Sequence, residues 1–235
     1  MYWHEQEERK PNVHPMCTSL PSYAVIQSNV ERYLSDRYLN AELAFQNGWY
    51  ESWLAGDNYQ RCVIPAVTHK VGHVYWQARD ITGRAYIRYQ SPKGPRHEAL
   101  VVVKPFESVK GTKGVVVVEG PTDALSAAGE GYVGIALMGM QPSQATLMHL
   151  ALILMDYSNK QVLVLLDRDS GANASKVALF LSTQGYHARI DTLPGPEKDL
   201  AACLPPKRKK ILRQSFQKLF QSKSSRKGTR TGKHA

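Results

Sequence analysis

Four consecutive valines, Val115 to Val118, run directly into Glu119 and Gly120. A strand with one wet face alternates apolar and polar residues, so an unbroken β-branched run is stable only when both of its faces are covered. A parallel sheet with helices on either side meets that condition. Glu119 then sits at the carboxyl end of the strand. Ligands bind at that edge of an open α/β sheet, because the loops leaving it are free to carry polar groups while the strands stay packed.

The pattern recurs in VLVLLDRDSG, where an apolar strand from Val162 ends on Asp167 and Asp169. Residues i and i+2 of an extended segment point to the same side, so both carboxylates are expected to converge. If the two strands are neighbours, they also meet Glu119. Three carboxylates in one place repel one another unless a cation neutralises them, and an all-oxygen set selects a hard ion such as Mg²⁺. Gly120 removes a side chain beside Glu119 and lets a phosphate or metal-bound water approach the backbone. Asp123 reads as a first-turn carboxylate that complements the positive end of the following helix.

Around these strands the pattern alternates: strand 115–119, helix from about 122, strand 132–136, helix 143–157, strand 162–167, helix 172–184, strand from His187. Upstream the pattern differs. Residues 24–49 carry apolar positions at helical spacing and predict two short helices, with Asn47-Gly48 as a stop. RCVIPAV, HVYWQARD, AYIRYQ and ALVVVKP follow as short β-rich runs. GTKG, Gly111 to Gly114, reads as the hinge between the two regions. The expected layout is a loose arm over 1–22, a basic α+β subdomain over 23–113, an α/β domain over 114–204, and a basic helix with a disordered tail over 205–235.

Charge follows that layout. The net charge is +10, yet residues 205–235 hold eleven Lys and Arg with no Asp or Glu, leaving the rest of the chain at −1. Residues 61–113 hold ten basic and three acidic groups, whereas 114–204 hold five and nine. A basic segment before an acidic one suits a polyanion in the first and a cation in the second. If the polyanion is nucleic acid, the tail is expected to add salt-sensitive, sequence-neutral affinity for it. Three scattered cysteines, Cys17, Cys62 and Cys203, give neither a disulfide framework nor a zinc ribbon; His14 and Cys17 form only half a zinc site. No apolar run reaches the roughly 20 residues of a membrane span, and a cytoplasmic protein with no membrane partner is expected.

EGPTDALSA, then LLDRDSGANAS, then LPGPEKDLAACL resembles the Toprim domain shared by primases, topoisomerases and some nucleases. The resemblance implies a catalytic Glu119, metal ligands in Asp167 and Asp169, and Asp199 near the metals. Ser170-Gly171-Ala172 reverses the order usual after the DxD segment. The stretch RCVIPAVTHKVGHVYWQARDITGRAYIRYQSPKG is similar to the basic subdomain that precedes Toprim in bacterial and phage DNA primases. This implies nucleotide and template contacts at Arg79, Arg84, Arg88 and Lys93, with Lys198 beside the acidic motif. Tyr75, Trp76, Tyr86 and Tyr89 interleave with the arginines; at least half are expected to pack the sheet, the others to stack on bases.

The implied activity is Mg²⁺-dependent synthesis of short RNA primers on single-stranded DNA from ribonucleoside triphosphates, with Mn²⁺ as the alternative ion and no zinc. With no GxxxxGK[ST] phosphate loop in the sequence, a separate helicase is the expected partner. A compact primase of this kind suits a phage or plasmid. A Toprim nuclease and a non-catalytic nucleic-acid-binding accessory protein are the alternatives; a topoisomerase would need a further large domain, and a dehalogenase-type phosphatase would open on its DxD strand.

Overall fold

The computed structural model of the chain describes residues 20–21, 27–53, 60–68, 74–94, 99–106, 112–139 and 141–227, with side chains as far as 221. His14, Cys17, Gly111 and most of the expected arm, together with the tail from 228, lie outside these residues.

Two short helices open the described chain, α1 (Ser28–Ser35) and α2 (Ala41–Gln46). The Asn40 side chain accepts from the Leu43 N–H to start α2, and Gly48, at φ +78°, turns the chain out of it. Four antiparallel strands follow: β1 (Tyr50–Trp53), β2 (Gln60–Thr68), β3 (Tyr75–Asp80) and β4 (Tyr89–Gln90). Strand β1 is not evident from the sequence, because YESW lacks an apolar pattern. It forms because buried Glu51 accepts hydrogen bonds from the N–H groups of Asn29 and Val30 at 3.1 and 3.3 Å, which satisfies the start of α1. The expected strand AYIRYQ is reduced to two residues. Asp80 is the cause: its carboxylate accepts from Thr82 N–H and Oγ1 and from Ala85 N–H, folding 81–88 into a loop.

The remaining elements alternate as the sequence predicts, after β5 (Ala99–Val103): β6 (Val115–Val118), α3 (Pro121–Gly129), β7 (Val133–Ala136), α4 (Gln144–Leu154), β8 (Gln161–Val164), α5 (Gly171–Thr183), β9 (His187–Ile190) and α6 (Pro205–Lys227). Among the described residues the strands form one sheet ordered β4-β3-β2-β5-β7-β6-β8-β9, with β1 pairing β2. Strands β7, β6, β8 and β9 are parallel. The sheet continues unbroken from the basic region into the α/β region, because β5 pairs antiparallel with both β2 and β7.

The valine run behaves as its composition demands. Val116 and Val118 pack with Leu34, Leu43, Leu125 and Leu212 on one face, while Val115 and Val117 pack with Leu147, Leu150, Val177 and Leu181 on the other. All four valines are fully buried. Helix α3 lies so close to the sheet that a Cβ on Gly134 would fall 2.1 Å from the Ala124 carbonyl oxygen. Among the described residues no helix is long and apolar enough to cross a membrane.

Candidate active site

Strands β6 and β8 are hydrogen-bonded neighbours, so Glu119 and Asp167, each just beyond the end of its strand, emerge side by side. Both line one cleft of about 410 Å³, which Asp123, Lys198 and Asp199 also line. Ser170 Oγ donates to Glu119 Oε2 at 2.8 Å and fixes that carboxylate. Lys198 Nζ lies 3.5 Å from Asp167 Oδ2. Burial, then the charge of Glu119, pushes the Asp167 carboxyl above its ordinary range, with Lys198 opposing. The carboxylates therefore sense one another as an excess of negative charge, which a cation would relieve.

Asp169 does not join them. Asp167 has φ −57° and ψ 153°, but Arg168–Ser170 then closes into a 3₁₀ turn, so the extended geometry that would align i with i+2 is lost. Asp169 is exposed and does not line the cleft. Among the described residues, no three His, Cys, Asp or Glu side chains gather closely enough to hold an ion by themselves. A site for Mg²⁺ does not require three: the ion keeps several waters and takes one or two carboxylates together with substrate phosphates. Glu119 and Asp167 supply that minimum in all-oxygen form. Cys62 and Cys203 are buried and unpaired, 1 % exposed each.

Asp123 has a larger part than a helix-end carboxylate. It is buried, and its Oδ1 accepts from the Ala201 N–H at 2.8 Å across 78 positions of sequence, tying α3 to the turn that carries Asp199. A Cβ on Gly120 would fall 2.9 Å from Asp123 Oδ2, so the glycine leaves room for this carboxylate as well as for a ligand. Burial, then Asp199, pushes the Asp123 carboxyl up to about 7. The folded chain thus binds this proton more tightly than the unfolded chain, and stability is expected to decline as pH rises from about 4 to about 7. Without divalent ions, Asp123→Asn should remove that part of the decline. The difference between wild type and variant in urea melts at pH 5 and pH 8 is expected to be roughly 2.5 kcal/mol, about two pH units of linkage between pH 5 and the folded value of about 7; parallel curves would refute it.

The opposite wall is basic. Arg79 on β3 lies between two aromatic rings, its Cζ 4.9 Å from the Tyr89 centroid and 5.6 Å from that of Tyr33, and it donates to the Tyr89 hydroxyl. Arg37 stacks on Tyr33 at 3.9 Å. Arg37, Arg79 and Arg88 border both the cleft and an adjoining groove of about 720 Å³, which Arg32 and Arg84 extend. Buried Arg61 donates to the carbonyls of Ala78 and Ile87 and so pins the 81–88 loop that carries Arg84, Tyr86 and Arg88. Lys93 is exposed and borders neither space. Of the four aromatics, Tyr75 is buried in the core, Trp76 packs on Tyr50 and Val63, Tyr89 holds Arg79, and Tyr86 stands fully exposed beside the groove.

Arg32, Tyr33 and Arg37 border the groove beside the cleft and are not singled out by the sequence, where residues 24–49 read only as two short helices. Arg208 is not singled out either: it is buried on α6 and donates to the carbonyls of Cys203, Tyr38 and Arg37 at 2.7, 3.0 and 3.1 Å. It thereby clamps the turn after Asp199 to the wall bearing Arg37.

Residues 116–204 match the family described as Toprim-like. No curated protein matches the chain. Among solved structures, the chain is similar to the RNA polymerase domain of the Mycobacterium tuberculosis primase, at 18% identity and a TM-score of 0.58, over 80% of this chain and 75% of that one. It is similar to the zinc-binding and RNA polymerase domains of the Aquifex aeolicus primase at 19% identity and a TM-score of 0.56, over 80% of this chain and 55% of that one. It is also similar to the primase fragment of the bacteriophage T7 primase-helicase protein at 17% identity and a TM-score of 0.54, over 78% and 73%. The fold is therefore the α/β fold of Toprim primase domains, including the antiparallel part that precedes the Toprim-like segment.

Proposed function

We propose that this chain is the catalytic core of a DNA primase, joining ribonucleoside triphosphates into short primers on single-stranded DNA. The observation that carries the reading is the cleft itself: Glu119 and Asp167 leave adjacent parallel strands on one wall, and Arg37, Arg79 and Arg88 form the other. Phosphoryl transfer needs positioning and charge neutralisation more than covalent help.

Glu119 and Asp167 would hold Mg²⁺, or Mn²⁺, with Asp199 alongside; the ion supplies charge stabilisation to the reacting phosphate and lowers the cost of ionising the primer 3′-hydroxyl. Ser170 orients Glu119, and Asp123 keeps Asp199 and Lys198 over the cleft. Arg79 and Arg88 grip triphosphate oxygens through their forked donors, and Arg37, Arg84 and Arg32 lead the template backbone along the groove. Lys93 contributes from outside. A separate helicase is the natural partner, given that the T7 relative is a primase-helicase protein.

Purified protein with Mg²⁺, single-stranded DNA and labelled ribonucleotides should yield primers. Cleavage without incorporation would show a nuclease in its place, and binding without either reaction an accessory protein. The same assay ranks the DxD pair. A smaller loss in Asp169→Asn than in Asp167→Asn is the expected result; equal losses would mean that the 3₁₀ turn rearranges when the ion binds.

A further inference from the structure

Helix α6 turns Ile211, Leu212, Ser215, Phe216 and Leu219 into the molecule, with Phe216 stacked on Tyr132 at 4.7 Å between ring centroids. Its other side carries two rows at four-residue spacing, Lys209, Arg213 and Gln217 beside Lys210, Gln214 and Lys218. All six are exposed and all carry N–H donors. Steps along each row are about 6 Å, close to two of the roughly 3.4 Å rises that separate phosphates along one strand of a nucleic acid.

The neighbouring charges are already committed. Lys207 pairs with Glu197 at 2.6 Å, Arg208 is buried against carbonyls, and Lys218 reaches Asp191 at 3.8 Å. Glu130 lies near enough to Lys209 to feel its charge. Lys210 and Arg213 face outward on a segment without a single Asp or Glu.

Ala202 lines the cleft and α6 starts three residues later, held by Arg208 to the backbone of Arg37, whose side chain borders the groove. We propose that the exposed face of α6 is a second, sequence-neutral site for the sugar-phosphate backbone of a nucleic-acid strand whose other end occupies the cleft. The proposal rests on the functional reading above only for what fills the cleft. An anionic membrane is the poorer occupant, because the apolar residues of α6 point inward and only Phe220 is an exposed large apolar side chain within its described turns.

The test is fluorescence anisotropy of the full chain with labelled single-stranded DNA of about 20 and about 6 nucleotides, lengths bracketing the roughly 4–16 of common single-strand sites. Combined Lys209→Glu, Lys210→Glu and Arg213→Glu should weaken the long probe by about thirtyfold at low salt, and lower the slope of log affinity against log salt by about 2. Affinity for the short probe should stay unchanged. The corresponding Gln variant should lose about a third as much, with an unchanged unfolding midpoint. An unaltered long-probe affinity overturns the proposal, as do equal losses on both probes, or equally tight binding of phosphatidylserine vesicles or polyglutamate through the same three residues. Primer synthesis by a protein whose DNA affinity ignores these substitutions sinks this inference and leaves the functional reading standing. Loss of long-probe affinity in a protein that makes no primer does the reverse.

Discussion

Asp167→Asn is expected to lower primer synthesis by about a thousandfold or more while leaving the thermal midpoint unchanged or raising it. The two halves of that expectation have one cause. Burial and the charge of Glu119 hold the Asp167 carboxyl above its ordinary range, so the folded chain keeps this proton more readily than the unfolded one. Stability tied to the group is present at low pH and lost as pH rises through the folded value, so at neutral pH the ionised carboxylate is a cost. Asparagine has nearly the same shape and no charge. It relieves the repulsion and removes the oxygen that an ion needs. Glu119→Gln should behave alike in activity. Initial rates in Mg²⁺ together with calorimetry separate the effects: a variant that loses rate and midpoint together would show that Asp167 holds the fold instead of the substrate.

The second large effect lies in the sheet. Gly134→Ala should cost about 3 kcal/mol or more, because the new methyl group would be set 2.1 Å from the Ala124 carbonyl oxygen. The obstacle is backbone in the middle of α3, and no rotamer change clears it. Relaxation requires lifting α3 off β7. That motion also displaces Gly120, Asp123 and the turn that Asp123 holds, so the variant is expected to lose activity in proportion to the lift. Urea unfolding checks the first part; a midpoint within error of wild type would show that the helix rides higher over the sheet than the structure has it.

Much of this was legible in the chain because burial leaves a strong compositional mark. Val115–Val118 and Val162–Leu166 could only be two-faced strands, and the acids after them had to emerge at one edge. What the sequence withheld was decided by tertiary contacts. DRDSG following a strand predicts an extended Asp169, but the chain turns at once into a 3₁₀ segment in which Ser170 reaches Glu119. Strand β1 carries no apolar pattern, because Glu51 serves the start of α1. The expected AYIRYQ strand gave way to a loop organised by Asp80, whose hydrogen bonds to Thr82 and Ala85 outweigh the β preference of Tyr86 and Ile87. Asp123 looked like an ordinary helix-start acid until its bond to Ala201 placed it between distant segments. Arg32, Arg37 and Arg208 could not be singled out among many basic residues, since nothing local distinguishes a charge that lines a groove from one that faces bulk water.

Strand β5 joins β2, and through it the β3 strand that bears Arg79, to the acid-bearing half through β7, so both walls of the cleft stand on one hydrogen-bonded floor. A slot built in that way has a fixed gauge. Its walls cannot part like jaws without tearing the ladder between them, so on the proposed reading a growing primer would have to thread along the slot and leave by its end, and adaptation to different templates would fall to the side chains and loops at the rim.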